Sequence, residues 1–170
     1  MEHLVSDWLI NVWTVILTLM LFMYVALDGF DLGVGMLSLL ERDTHKKSIM
    51  MHCLSGVWDA NETWLVLLGG TLFGAFPLAY SGILQSLYIP VMLMLFALMF
   101  RGVAFEFYAY SKKPALWLLA FGVGSLLVVL AQGLALGALL SGLSLDSTQL
   151  FGWFTPLSLI TVASSSAVFA

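Results

Sequence analysis

No charged residue interrupts positions 8–27, a run of 20 residues between Asp7 and Asp28. At about 1.5 Å per residue a helix of that length crosses the ~30 Å hydrocarbon core of a bilayer. The runs 63–100, 114–145 and 147–170 are also uncharged, and the first of these is long enough to require splitting. Inside a bilayer every backbone polar group needs an internal partner, so the choice lies between helices and a closed barrel. Strict apolar/polar alternation is absent, which leaves helices. The composition agrees, at 61% hydrophobic and 9% charged residues.

The expected fold is all-α, a polytopic transmembrane bundle of four full helices near 8–40, 48–78, 82–107 and 114–142, plus a truncated fifth near 152–170. Pro77 and Pro90 bracket the turn between the second and third helices, with Tyr80, Ser81 and Gly82 at its centre. No repeat or linker divides the chain, so residues 1–170 are read as one bundle. The fifth helix ends at "TVASSSAVFA" without a charged flank, as if cut within a span. The acidic N-terminus, with Glu2 and Asp7, does not resemble the basic start of a secretory signal.

Arg42, Lys46, Lys47, Arg101, Lys112 and Lys113 all fall on one side of this layout. The N-terminus, residues 79–82 and residues 143–151 carry no Lys or Arg. The positive-inside rule then puts the N-terminus outside and the loops near 44 and 110 in the cytoplasm. A net charge of −4 on so few charged residues gives no sign of a nucleic-acid partner. The single cysteine, Cys53, makes no internal disulfide and no CxxC site. Gly29/Gly33, Gly70/Gly74 and Gly133/Gly137 have the small-xxx-small spacing that lets helices approach closely, read here as bundle packing.

The segment "ALDGFDLGVGML" (26–37) sets Asp28 and Asp31 on one helix face, three residues apart. "VWDANETW" repeats that spacing with Asp59 and Glu62 on the next helix. Asp31 and Asp28 lie 10 and 13 residues before Glu41, and Asp59 and Glu62 lie 12 and 15 after Lys47. Both pairs therefore fall roughly 15–22 Å from the intervening loop and can meet at one depth. Four carboxylates crowded in a low dielectric cannot all ionise, so the group is expected to share protons, as a relay does. Acids within a membrane usually mark ion or proton paths. Structural alternatives are capping of unwound helix segments, pairing with Arg101, or anchoring a neighbouring subunit.

Arg101 and Glu106, near the cytoplasmic end of the third helix, are read as an interfacial ion pair or lipid contact. Trp58, Trp64 and Tyr88 are read as packing or interface anchors. The sequon Asn61-Glu62-Thr63 falls on the cytoplasmic half of a span and is set aside. "GFDLGVG" lacks dinucleotide-site spacing, and "DGFD" lacks the ligands of a calcium loop. No metal site is assigned. His3 and His45 fall outside the membrane and His52 near its edge, so two axial histidines for a haem do not face each other.

"LDGFDLGVGML" (27–37), "VWDANETWLVLLGGTLFGAFPLAYS" (57–81) and "LYIPVMLMLFALMFRGVAFEF" (87–107) closely resemble subunit II of cytochrome bd-type quinol oxidases. The blocks occur in family order, and "WFTPLSLI" follows compatibly. The resemblance implies a partner subunit of a terminal oxidase that oxidises quinol and reduces dioxygen to water. It implies haem b and haem d bound mainly by subunit I, against which this chain packs as a pseudosymmetric partner, contributing to proton delivery from the cytoplasm. Asp31 in "GFD" and Asp59 in "WD" match the family's proton-path acids, and Asp28 and Glu62 match acidic or polar positions of the same motifs. Family members are longer, with a second group of helices, so the chain is expected to be an N-terminal half seated in the bacterial inner membrane. The contrasting expectation is a non-enzymatic transporter or assembly subunit whose carboxylates bind a cation.

Overall fold

A computed structural model describes residues 2–142 and 152–169, and every regular element among them is helical. The helices are α1 (Glu2–Leu40), α2 (Thr44–Leu54), α3 (Trp58–Ala75), α4 (Pro77–Ser86), α5 (Tyr88–Tyr108), α6 (Pro114–Leu140) and α7 (Pro156–Phe169). Three are long and apolar enough to cross a membrane: Asp7–Leu40, Tyr88–Tyr108 and Pro114–Leu140. The connection 143–151, assigned above to the side without basic residues, lies outside the described residues.

Four full helices and a truncated fifth therefore give way to seven elements, for reasons visible in the chain. The expected second helix, 48–78, breaks at Ser55-Gly56-Val57. There the backbone tightens into bonds from Ser55 N–H to His52 O (3.3 Å) and Val57 N–H to Leu54 O (3.0 Å). Glycine in a helix interior costs about 1 kcal/mol relative to alanine, which makes Gly56 a weak point. The expected turn at 79–82 is instead helical. Phe76, preceding Pro77, leaves the helical region at φ −134° and ψ 63°, and Pro77 opens α4 at its first turn, where its missing N–H costs nothing. The second break is at Leu87, because Pro90 in the next turn has no N–H to give back to the preceding helix.

Helix α6 lies at the centre, packed against α5, α7 and α1, while α1 also packs against α3. Leu32 and Met36 of α1, Ala97 and Leu98 of α5, and Val128 and Val129 of α6 form one buried cluster. A second joins Met51 and Leu54 of α2 to Ala104 and Phe105 of α5 and Leu118 and Phe121 of α6. Trp58, at the start of α3, stacks on Phe105 with centroids 5.1 Å apart and planes 6° apart.

The glycine pairs separate by use. On α6, Gly133 and Gly137 press on the α7 backbone, and a Cβ at Gly137 would sit 2.2 Å from Ser158 Cα. Thr161 donates a 2.6 Å hydrogen bond to the Gly133 carbonyl across the same seam. By contrast, Gly70 and Gly74 face open space. Gly137→Val is expected to destabilise the α6–α7 pair by about 1–3 kcal/mol through overpacking. Faster protease cleavage at α7 in detergent would register it, and Gly74→Val should leave cleavage unchanged.

At the α1–α2 corner, Glu41 Oε1 accepts the N–H groups of Arg42 (2.8 Å) and Asp43 (3.0 Å). Asp43 caps α2 by accepting the His45 N–H at 2.8 Å. The amides of Asp43 and Arg42 hold the Glu41 carboxyl below its ordinary value. A lowered carboxylate contributes order above its ordinary titration range and loses it as pH falls through the lowered value. Protection of the Arg42 and Asp43 amides, taken relative to the intrinsic exchange rate at each pH, is therefore expected to fall on acidification, an effect that Glu41→Gln should abolish.

Candidate functional site: a buried charge cluster beside an acidic groove

Tyr24, Asp28 and Asp31 lie four and three residues apart, on one stripe of α1 that turns inward. Asp28 is 0% exposed and Asp31 1%. Arg101, also 0% exposed, reaches them from α5. Its Nη1 lies 2.8 Å from Asp28 Oδ1 and its Nη2 lies 3.6 Å from Asp31 Oδ2. Gly124 of α6 makes room for the arginine stem: a Cβ there would lie 3.3 Å from Arg101 Cβ. Asn61 of α3 donates its side-chain N–H to Asp31 Oδ2 at 3.0 Å. A single cation thus offsets two carboxylates: the pairing with Arg101 that the sequence offered as a structural alternative is formed, in place of four acids crowded together.

Among the described residues, several buried polar atoms of this cluster have no hydrogen-bond partner: Asp28 Oδ2, Asp31 Oδ1, and Arg101 Nε and Nη2. Leaving such atoms unbonded in a low dielectric is costly, so the geometry offers bonding sites for a small polar carrier such as water.

Asp59 and Glu62 occupy a different setting. Both line an open groove of about 870 Å³ between α3 and the α4–α5 segment, together with Trp58, Phe73, Tyr88 and Met99. Asp59 is exposed and Glu62 half-buried. Because α3 starts at Trp58, these acids fall in its first two turns, where negative charge complements the helix N-terminus. Glu62 still lies within electrostatic range of Arg101, Asp28 and Asp31. The four acids accordingly divide into a buried pair and a groove pair, with Asn61 on α3 between them.

An Arg101–Glu106 ion pair is not formed. Five residues on a helix turn through about 500°, leaving the two side chains about 140° apart. Arg101 points into the bundle and Glu106 is exposed. His45 and His52 are both exposed on α2, and His3 falls outside the residues whose side chains are described. Cys53 is exposed and free.

Sequence reading missed Tyr24, Gln132 and the role of Asn61. Asn61 had been seen only as part of a sequon. Tyr24 sits one turn before Asp28 on the same face of α1 and is likewise buried. Gln132, an amide in the apolar run of α6, donates its side-chain N–H to the Tyr24 hydroxyl.

The family model "Cytochrome bd terminal oxidase subunit II" matches residues 9–170. The chain belongs to that family. Among relatives of this subunit II chain, subunit 2 of the cytochrome bd-I ubiquinol oxidase of Escherichia coli is 33% identical over 135 residues, 77% of this chain and 36% of the relative. Subunit 2 of the cytochrome bd ubiquinol oxidase of Bacillus subtilis is 34% identical over 141 residues, 81% of this chain and 42% of the relative. The solved bd oxidase from Geobacillus thermodenitrificans superposes with a TM-score of 0.76 and 25% identity, covering 95% of this chain and 54% of that one. The chain thus spans about two fifths of the length of these curated relatives. Family membership and three membrane-length helices make it an integral protein of the bacterial inner membrane.

Proposed function

We propose that this chain serves as subunit II of a cytochrome bd-type terminal oxidase, supporting quinol oxidation coupled to dioxygen reduction to water. In this reading it packs against a haem-bearing subunit I, and its acids carry protons inward from the cytoplasmic face. The observation that carries the reading is the Asp28–Arg101–Asp31 cluster, buried at 0–1% exposure and hydrogen-bonded by Asn61 of α3, the helix whose Asp59 and Glu62 line the groove. Ionisable groups at such depth usually mark an ion or proton route.

The roles divide by exposure. Asp59 and Glu62, at the groove, take up a proton, and Asp31 and Asp28 hold it in turn by general acid–base exchange. Arg101 keeps the buried carboxylates from repelling one another, and Asn61 fixes Asp31 on the α3 side. The N-terminus faces outward and the loops bearing Arg42, Lys46, Lys47, Lys112 and Lys113 face the cytoplasm, by the positive-inside rule. Haem b and haem d are assigned to subunit I on the family resemblance, and the exposed positions of His45 and His52 on α2 are compatible with that division.

The test uses a full-length subunit II bearing these residues, purified with subunit I. Haem absorbance is expected to accompany the complex, and Asp59→Asn is expected to lower oxidase turnover while the haem spectra persist. A complex without haem, or unchanged turnover in both Asp59→Asn and Asp31→Asn, would overturn the reading. Cation-coupled flux by the subunit alone would point to a carrier instead.

A further inference from the structure

We infer that the buried network does not end at Asp28 but continues to Tyr24 and Gln132, with Gln132 positioning the Tyr24 hydroxyl so that its proton is presented to Asp28. The inference rests on the proton-delivery reading above and extends it from α1 and α5 into α6.

Burial makes the arrangement specific. Tyr24 is 4% exposed and sits one turn before the fully buried Asp28 on the same face of α1. A buried phenol needs a partner for its oxygen and another for its proton. Gln132 supplies the first by donating from Nε2 to the phenol oxygen. That contact leaves the phenol proton free to donate, and one turn along the same face of α1 stands the Asp28 carboxylate, whose buried Oδ2 has no hydrogen-bond partner among the described residues. From Asp31 to Tyr24 the stripe covers seven residues, about 10 Å along the axis.

Other polar side chains near α6 are occupied locally. Ser125 donates to its own helix at Phe121 O (2.9 Å), and Thr161 to Gly133 O (2.6 Å). Ser164 and Ser165 donate back along α7, to Ile160 O (2.9 Å) and Thr161 O (2.7 Å). Their hydroxyl protons satisfy backbone carbonyls. Gln132 differs because its amide bonds a side chain of the charged stripe on α1 and not a backbone carbonyl. An amide in an apolar helix is costly unless bonded, and this bond leads straight into the charge cluster. Only O–H bonds change: the O–H of one site breaks as that of the next forms, and each site regains a proton in turn, so no electrons are gained or lost.

The test compares Tyr24→Phe, Gln132→Met and Gln132→Glu in the full-length oxidase complex, with Asp31→Asn measured alongside and turnover expressed per intact haem. Tyr24→Phe removes one oxygen and Gln132→Met removes the donor at nearly constant volume. Each is expected to slow turnover about tenfold, and the double variant to be no slower than either single, because the two residues act as one unit. Gln132→Glu keeps the shape but replaces the amide donor with a carboxylate that accepts the phenol proton, and is expected to stay as slow as Gln132→Met, whereas a role in packing alone would leave the rate normal. Wild-type turnover in Tyr24→Phe and Gln132→Met, with Asp31→Asn slowed, would overturn the extension and leave the proton-delivery reading standing. Wild-type turnover in all three would overturn both. If Gln132→Met fails to assemble with haem, Tyr24→Phe alone decides.

Discussion

Arg101→Met is expected to destabilise the chain by about 3–5 kcal/mol, because it strands two carboxylates away from bulk solvent without their cation. Asp28 and Asp31 are 0% and 1% exposed, and their charge is offset within the chain by this one guanidinium. The same cation ties α5 to α1, so its loss should also loosen the helix pair that forms the cluster. The net worth of the intact pair is a separate matter: a buried ion pair often does no better than well-packed apolar residues. Arg101→Met combined with Asp28→Asn and Asp31→Asn should therefore recover much of the lost stability. Thermal unfolding in detergent reads both effects. A triple variant as unstable as the single one would mean that Arg101 matters through its packed stem rather than its charge.

Asp31→Asn is expected to behave in the opposite way, leaving stability nearly intact while lowering turnover of the assembled oxidase by about 100-fold, the lower end of what proton-transfer groups contribute. The physical reason is charge balance. Arg101 and Asp28 remain a 1:1 pair at 2.8 Å, and asparagine fills the same volume beside Asn61. What disappears is a carboxylate able to accept and release a proton between the groove and Asp28. Turnover and haem spectra measured on one preparation separate this outcome from a folding defect. Lost haem together with lost turnover would instead mark Asp31 as an assembly residue.

These two expectations diverge because the site was only partly legible in the sequence. Composition and run length sufficed for an all-helical membrane bundle, since a bilayer leaves few alternatives to a chain this apolar. The i,i+3 spacings singled out Asp28 and Asp31, and the structure places both inward. Helix ends were less legible: Ser55-Gly56 and Leu87 break helices locally, and hydropathy does not register a break between two apolar segments. That error carried into the site. Read as mid-helix, Asp59 and Glu62 stood level with the α1 pair; as the opening of α3 they line a groove.

Arg101 shows the limit most clearly. Its sequence neighbour Glu106 suggested a local pair, but about 140° of helical rotation separates them, and the true partners are 73 and 70 residues away in sequence. Gln132 left a signal, an amide within an apolar run, but its partner Tyr24 lies on a helix 108 residues distant, and only tertiary packing reveals the match.

Time-resolved proton uptake during the reaction of reduced full-length oxidase with dioxygen, followed with a pH dye in wild type and Asp31→Asn, tests the central claim most directly. The buried carboxylates are expected to carry the protons, so uptake in the variant should slow at least about tenfold while dioxygen binding keeps its normal rate. Uptake at the wild-type rate in Asp31→Asn would contradict the account and leave the Asp28–Arg101–Asp31 cluster as a structural clamp between α1 and α5.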